Sequence, residues 1–387
     1  MNTSWRLPRG VDELLPPRGR RLEQLRRQVL DLFHTWGFDY VEPPVIEYLD
    51  ALMVGGGEDL DLQTLKVVDQ VSGRMLGVRS DMTSQAVRID AHSLATEDVQ
   101  RLCYAGPVVF ANPRIAQTSR VPIKAGAEIF GAADLHADLE VIRLMLGSVD
   151  RAGIDQPVLL LGHMGIYRAL VDALVDGGAM PPASEPTLFG LVQRKSQADI
   201  QDLLGAGALT EIVARLPAMM GDVDTLDMIE SDLAAVPPAA RAALDELRRL
   251  VDLLAHDQGF DVRIDVAELT GYGYHNGPVF AVYHPEHGRA LAQGGRYDGV
   301  GRVFGGDGRP ATGFDMDLKV LLKAAMPLEP KVWVDFAHRD DPAVHAAVAA
   351  LRAADRQVAW GLGGAERAPA DAQILKQQDG QWIAADQ

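Results

Sequence analysis

The sequence is short of cysteine, aromatic residues and positive charge, and each shortage removes a class of explanation. A single thiol, Cys103, excludes an intrachain disulfide and any metal site built from several thiolates. No apolar run approaches the ~20 residues that a membrane-spanning helix requires. Met1 to Arg9 is polar and has no apolar segment behind it, unlike a secretory signal. A cytoplasmic protein without membrane attachment is therefore expected. Lys and Arg number 37 against 54 Asp and Glu, a net charge of −17. Such a field repels a nucleic-acid backbone at long range, although a local basic patch is compatible with it. The phosphate loop Gly-x-x-x-x-Gly-Lys-Ser/Thr, the zinc motif His-Glu-x-x-His and the nucleophile elbow Gly-x-Ser-x-Gly are all missing.

What remains is an ordinary globular composition: 387 residues, 47% hydrophobic and 24% charged, enough for two or three domains. Leu22, Leu25, Val29, Leu32 and Trp36 recur at helical spacing after Pro16–Pro17, and Gly37 ends that helix. A strand-like run, Phe38 to Val41, meets Pro43–Pro44, which belong at an edge or in a turn. Lys66 to Asp69 and Arg74 to Arg79 read as strands joined by Gln70-Val-Ser-Gly73. A helix follows from Asp81 or Met82, then strand-like runs Pro107–Phe110 and Ala127–Phe130. A helix through Leu135, Leu139, Ile142 and Leu146 and a strand Pro157–Gly162 come next.

From about 166 to 258 leucine and alanine keep helical spacing with no convincing strand, which reads as a helical insertion. Strands return at Val262–Val266, Pro278–Tyr283 and Ala290–Ala292. Strand clusters around a helical block, without regular βαβ alternation, indicate an α+β fold with an antiparallel sheet. Pro327–Pro330 reads as a linker between a first domain, 1–326, and a small C-terminal α/β module, 331–387. In that module Val332, Val334 and Phe336 alternate, Asp341–Pro342 opens a helix, and Gln357–Trp360 is a second strand.

Local chemistry alone is ambiguous. Gly361-Leu-Gly-Gly364 reads as a turn, and His284-Pro-Glu-His287 as a surface loop lacking a third ligand, so no metal and no cofactor are expected. Gly294, Gly295 and Gly299 permit a tight turn in which Arg296 and Asp298 pair structurally. Asp81 is either an N-cap or a ligand contact. Tyr274 and His275 are either half-buried packing or pocket lining. Glu128, between Ala127 and Ile129, faces solvent or faces inward, where it needs a partner.

Several stretches in one order carry a resemblance. Gly37-Phe-Asp-Tyr-Val-Glu-Pro-Pro-Val-Ile-Glu47 resembles motif 1 of class II aminoacyl-tRNA synthetases, which implies that Pro44 lies at a dimer interface. Val78-Arg-Ser-Asp-Met-Thr83 resembles the histidyl-tRNA synthetase segment Leu-Arg-Pro-Glu-Gly-Thr, and Gly126-Ala-Glu-Ile-Phe-Gly131 matches the end of that family's motif 2. Leu269 to Phe280 is similar to its first histidine-specific signature, and Gln293-Gly-Gly-Arg-Tyr-Asp-Gly299 is nearly identical to Gly-Gly-Arg-Tyr-Asp. The resemblance implies a class II synthetase-like antiparallel sheet flanked by helices. It also implies a histidine pocket in which Asp81 and Thr83 hold the α-amino group and Glu128 reads the imidazole. Tyr274, His275, Arg296 and Tyr297 are further pocket candidates.

The departures fall where ATP should sit. The motif 2 arginine after Gly106-Pro is Phe110, and its later Arg-x-Arg pair is Thr118-Ser-Arg120. The arginine of the first histidine-specific signature is Thr270, and that of motif 3 is Val320, with Asp315 and Asp317 nearby. Each missing guanidinium removes a charged contact worth roughly 1.5–3 kcal/mol. The motif 2 core is also replaced, by Arg120-Val-Pro-Ile-Lys124, with Lys124 at the position of a glutamine.

A synthetase body with a broken adenylation site resembles the family of ATP phosphoribosyltransferase regulatory subunits. That implies a chain with no catalytic residues that activates a short catalytic subunit in the first step of histidine biosynthesis. It also implies feedback inhibition by histidine, four copies of each chain built on synthetase-like dimers, and no tRNA. The alternatives are an active histidyl-tRNA synthetase, a synthetase-like enzyme acylating another acceptor, and a histidine sensor with a different partner.

Overall fold

Apolar residues at helical spacing bury one side of the first long helix, Arg18–Thr35, through Leu25, Val29, Leu32 and Phe33. In the computed structural model this helix lies on a nine-stranded sheet. Residues 5–54, 58–112, 119–232, 236–269, 271, 273–304, 308–322, 329–363 and 366–386 are described. Thr118, Thr270, Pro327 and Gly364 lie outside them. The chain forms two compact units, Met1–Ala325 and Met326–Gln387.

The strands of the large sheet are, in chain order, β1 (Asp39–Tyr40), β2 (Gln100–Pro107), β3 (Ile123–Phe130), β4 (Val158–His163), β5 (Met220–Gly221), β6 (Asp261–Asp265), β7 (Pro278–Tyr283), β8 (Ala292–Arg296) and β9 (Ala311–Asp317). Across the sheet they run β1-β2-β3-β9-β8-β7-β4-β6-β5. The centre is antiparallel, and the parallel pairings are β1 with β2 and β4 with β6.

Alternation of side chains divides this sheet into two chemically different faces. Cys103, Ala105, Ala125, Ala127, Ile129, Phe314 and Met316 point into the main core. There they meet the helix Arg18–Thr35 and the helix Leu135–Arg151. Leu102, Tyr104, Tyr297 and Ala311 belong to a second, smaller cluster with Met82, Ala86 and Val87. That second face carries the polar residues.

Strand β2 departs from the run expected at Pro107–Phe110. Most of it is buried on both sides, which erases the two-residue alternation that would announce it. Val108, Val109 and Phe110 continue as an irregular arm, with Val109 N–H donating to the Arg79 carbonyl at 2.9 Å. The segment 166–258 is mainly helical, but its first helix starts at Met164 and the strand β5 lies within it. Two residues are too few to show a period. The helices Met164–Asp176 and Pro238–Leu254 bury Leu170, Leu174, Leu244 and Leu247 in the same core as the sheet.

The N-terminus of the helix Leu135–Arg151 is pinned by an ion pair. Arg296, 6% exposed, meets Asp138, fully buried, with Nη2 2.5 Å from Oδ2. The same guanidinium donates to the Asp134 carbonyl at 2.9 Å, and Asp134 caps the helix by accepting from His136 N–H at 2.8 Å.

A separate three-stranded sheet joins Ile46–Tyr48, Met75–Val78 and Leu65–Val68 in that order. The second unit orders its strands Val358–Trp360, Val332–Val334, Gln373–Gln378, Gln381–Ala385, packed with the α-helix Pro342–Ala353. Asp341 caps that helix, accepting from Ala343 N–H at 2.8 Å, and Val332, Val334, Val344, Val348 and Leu375 form its core.

Breaking the Arg296–Asp138 pair tests this arrangement. R296M strands a buried carboxylate and is expected to cost roughly 3–5 kcal/mol in urea unfolding, whereas R296M/D138L recovers most of that loss. A single variant as stable as the wild type would show that the pin is dispensable.

Candidate functional site

Strand register assembles the site. Glu128 lies opposite Gly313 and Leu102, Gly126 opposite Asp315 and Tyr104, and Lys124 opposite Asp317 and Gly106. Gln293 and Gly295 of β8 lie opposite Asp315 and Gly313. Directly paired residues share a face, so these side chains all stand on the side away from the Arg18–Thr35 helix.

Glycines on this face make room for four functional side chains. A Cβ at Gly313 would lie 1.5 Å from Glu128 Oε2, and one at Gly126 would lie 2.6 Å from the Tyr104 hydroxyl. At Gly295 it would meet His275 Cδ2 at 2.9 Å, and at Gly106 the Arg79 Nη2 at 2.5 Å.

Glu128 is 1% exposed. Tyr104 Oη donates to its Oε1 at 2.8 Å and Tyr297 Oη to its Oε2 at 2.6 Å. Thr83 Oγ1 lies 3.1 Å from the Tyr104 hydroxyl. Burial pushes the Glu128 carboxyl up to about 8, against the two tyrosine hydroxyls, which favour its charge. Tyr274 stacks on Tyr297 with ring centroids 4.6 Å apart, and His275 lies edge-on to Tyr274 at 5.6 Å. The result is a carboxyl enclosed by aromatic rings, suited to a flat ligand that donates N–H.

Asp81 stands half-buried at the start of the helix Thr83–Arg88. Burial and the Asp315 carboxylate raise its pKa, while Lys124 and the backbone N–H groups of Thr83 and Met82 oppose the rise. Lys124 Nζ forms an ion pair with Asp315. Burial works against the Lys124 charge, but Asp315, Asp317 and Asp81 outweigh it and raise the pKa.

The structure therefore brings together Asp81, Thr83, Glu128, Tyr274, His275 and Tyr297. Arg296 neighbours Tyr297 in sequence but points to the opposite face, into Asp138. Pro44 is outside the pocket; its carbonyl accepts from Gln85 Nε2 at 2.8 Å, and that of Pro43 from Arg79 Nη1 at 2.5 Å. Sequence reasoning missed Tyr104 as the second Glu128 partner. The period-two series Lys124, Gly126, Glu128 held a clue, since a bare glycine between two charges leaves space for a ring.

The positions examined for ATP contacts look different. Val320 is 4% exposed within the main core, and Phe110 packs against the second cluster. Arg120 turns away: its Nε donates to the Phe110 carbonyl at 2.9 Å, its Nη1 to the Arg9 carbonyl at 3.3 Å and its backbone N–H to the Gly10 carbonyl at 2.7 Å. This arginine ties the N-terminal segment to the Phe110 arm. Among the described residues no group of three or more His, Cys, Asp or Glu is arranged to hold a metal. Nor is any helix there long and apolar enough to cross a membrane.

The family model for histidyl-tRNA synthetase matches residues 10–321. The ATP phosphoribosyltransferase regulatory subunit of Chromohalobacter salexigens is 44% identical over 388 residues, covering 98% of this chain and 97% of that one. The protein of that name from Alkalilimnicola ehrlichii is 44% identical over 400 residues, covering 98% and 96%. Among solved structures, an ATP phosphoribosyltransferase regulatory subunit/histidyl-tRNA synthetase from Bacillus halodurans superposes with a TM-score of 0.82 at 24% identity, covering 97% of this chain and 98% of that one. A histidyl-tRNA synthetase from Nostoc sp. PCC 7120 gives 0.74 at 18%, covering 94% and 87%. At these identities the two structures show the shared fold.

Two outcomes follow from the geometry. Gly313→Ala forces Glu128 out of its place and should lower the thermal midpoint by several degrees, as overpacking of a closed site does. The second concerns pH. Folded Glu128 keeps its proton up to about 8, whereas in the unfolded chain it is lost near 4.5. Between those values the folded state binds more protons, so stability falls as pH rises. Melting curves from about pH 5 to 8 should therefore slope downward more steeply for the wild type than for E128Q. Parallel slopes would contradict the raised pKa.

Proposed function

The chain belongs to the ATP phosphoribosyltransferase regulatory subunits, within the histidyl-tRNA synthetase family, and from that premise we propose that it is a non-catalytic subunit that activates a short catalytic partner and makes it sensitive to histidine. The observation that carries the reading is the contrast between the two ends of the synthetase-like site. The amino-acid end keeps a buried carboxyl between Tyr104 and Tyr297, while Phe110 and Val320 replace arginines where ATP would be gripped. An ATP triphosphate placed there meets the carboxylates of Asp315 and Asp317 instead of fixed guanidinium groups, which disfavours adenylation. Aminoacylation, and with it a role for tRNA, is not expected.

Histidine in this pocket would give its imidazole N–H to Glu128 and its ammonium to Asp81. If one arrangement of the subunits closes this pocket better than the other, histidine shifts the equilibrium by the ratio of the two affinities, and the catalytic partner reads the shift. Assembly begins with a dimer of this chain, through Pro44 and the adjoining three-stranded sheet. That sheet exposes Ile46, Tyr48, Leu65, Val67, Val68 and Met75, an apolar surface of the kind that marks an interface. Four copies of each chain complete the proposed complex.

The test is phosphoribosyl-ATP formation by the short catalytic subunit of the same organism, with and without this chain, and then with histidine. Strong activation and histidine inhibition that both require this chain are expected. E128Q should raise the half-inhibitory histidine concentration by about five- to tenfold, because an amide replaces one of the two carboxyl oxygens with an NH2 donor and so removes an acceptor from the site. No change in rate or inhibition on adding the chain would sink the proposal. Histidine-dependent pyrophosphate–ATP exchange by the chain alone would favour an active synthetase instead.

A further inference from the structure

The ion pair at the open end of the pocket is not used by the reading above, and its direction is informative. Lys124 lies opposite Asp317 in the β3–β9 register, so the shortest cross-strand pair would join those two. Asp317 is instead engaged as a helix cap, accepting from Lys319 N–H at 3.0 Å. The Lys124 ammonium reaches diagonally to Asp315, which lies opposite Gly126, two residues nearer Glu128. The side chain thus leans along the strand toward the pocket. Gly126, between Lys124 and Glu128 on the same face, presents no side chain there, and the Tyr104 ring lies over it.

We infer that Lys124 is the anchor for the α-carboxylate of the bound amino acid, and so the residue that distinguishes histidine from imidazole amines. This rests on the reading of the pocket as a histidine site. An ammonium has three donors, and Asp315 accepts from Lys124, leaving donors for a second carboxylate. Lys124 and Glu128 stand on the same face of β3 with only the bare Gly126 between them. That face therefore presents an acceptor for an imidazole N–H at Glu128 and, nearer the end of the strand, a cation for a carboxylate at Lys124. A zwitterionic imidazole amino acid carries those two groups at its opposite ends, the ring N–H and the α-carboxylate.

The alternatives on this face are weaker. Arg296 is committed to Asp138 on the other face, and Arg120 holds the Arg9 and Phe110 carbonyls. Arg79 is closed off beneath Gly106, with Nε 2.9 Å from the Pro107 carbonyl. Among the described residues on the pocket face of β3, β8 and β9, Lys124 is the one cation. An amine without a carboxylate leaves that ammonium with only Asp315, and a ligand with a carboxylate gains a charge-assisted contact in a partly dry site.

The experiment is calorimetric titration of the full chain with L-histidine, L-histidinol, histamine and imidazolepropionate, for the wild type, K124M and K124R. The expected result is that wild-type protein binds histidine about 10- to 100-fold more tightly than histidinol or histamine. K124M should bring histidine down to the level of histamine while leaving histamine affinity unchanged or improved, and K124R should restore part of the preference. Equal binding of histidine and histamine by the wild type would overturn the role of Lys124 while leaving the pocket itself standing. So would a K124M loss that is the same for both ligands. No binding of any imidazole ligand by the wild type would overturn the pocket and the anchor together. The wild-type ligand series decides the matter even if K124M fails to fold.

Discussion

The structure depends on keeping one carboxyl group out of water. Glu128 stands in the middle of the sheet, and its desolvation is tolerated because two tyrosine hydroxyls donate to its two oxygens. Holding it there dictates its surroundings. Gly313 must lack a side chain because Glu128 occupies that space, and Gly126 must lack one because the Tyr104 ring does. Tyr297 reaches the carboxyl because β8 runs beside β9 in a register that brings residues 295 and 313 together. The bare glycines and the aromatic packing around it both follow from one buried acid.

The two faces of the sheet divide the work. One packs Ala125, Ala127, Ile129, Phe314 and Met316 under two long helices and supplies apolar stability. The other holds the polar groups, from the buried Glu128 carboxyl to the Lys124–Asp315 ion pair. Arg296 and Tyr297 show how sharp the division is: adjacent in sequence, one fixes a helix terminus and the other completes the pocket. The short segment from Arg79 to Gln85 links the pocket to the outside. Arg79 and Gln85 hold the carbonyls of Pro43 and Pro44, while Asp81 and Thr83 between them face the pocket. A ligand that moves this segment would also move the backbone beside the apolar three-stranded sheet, a physical route from the pocket to the proposed interface.

Legibility in the sequence followed the strength of local signals. The long helices were plain from their apolar spacing, and the α+β class from the grouping of strands. The strand Gln100–Pro107 was hidden because most of it is buried on both faces, and Met220–Gly221 because it is too short to show a period. The resemblance named Asp81, Thr83, Glu128, Tyr274, His275 and Tyr297 as one group, and the fold brings these side chains near one another. Tyr104 was not legible, since nothing in its neighbours tells which of two faces its hydroxyl will reach. Arg296 was open to two readings, and geometry chose the structural one by supplying Asp138 from a helix 158 residues away in the chain.

Composition and motif order by themselves determined the family likeness, the fold class and the absence of arginines at the positions that grip ATP, because these are properties of residue type and sequence position. Only the tertiary structure decided which charges meet. Glu128 becomes a largely neutral acid because burial, a property of the assembled sheet, raises its pKa to about 8. Lys124 turns toward Asp315 because Asp317 is already capping a helix. Desolvation and pairing depend on what lies within a few ångströms, and strands far apart in sequence supply those neighbours.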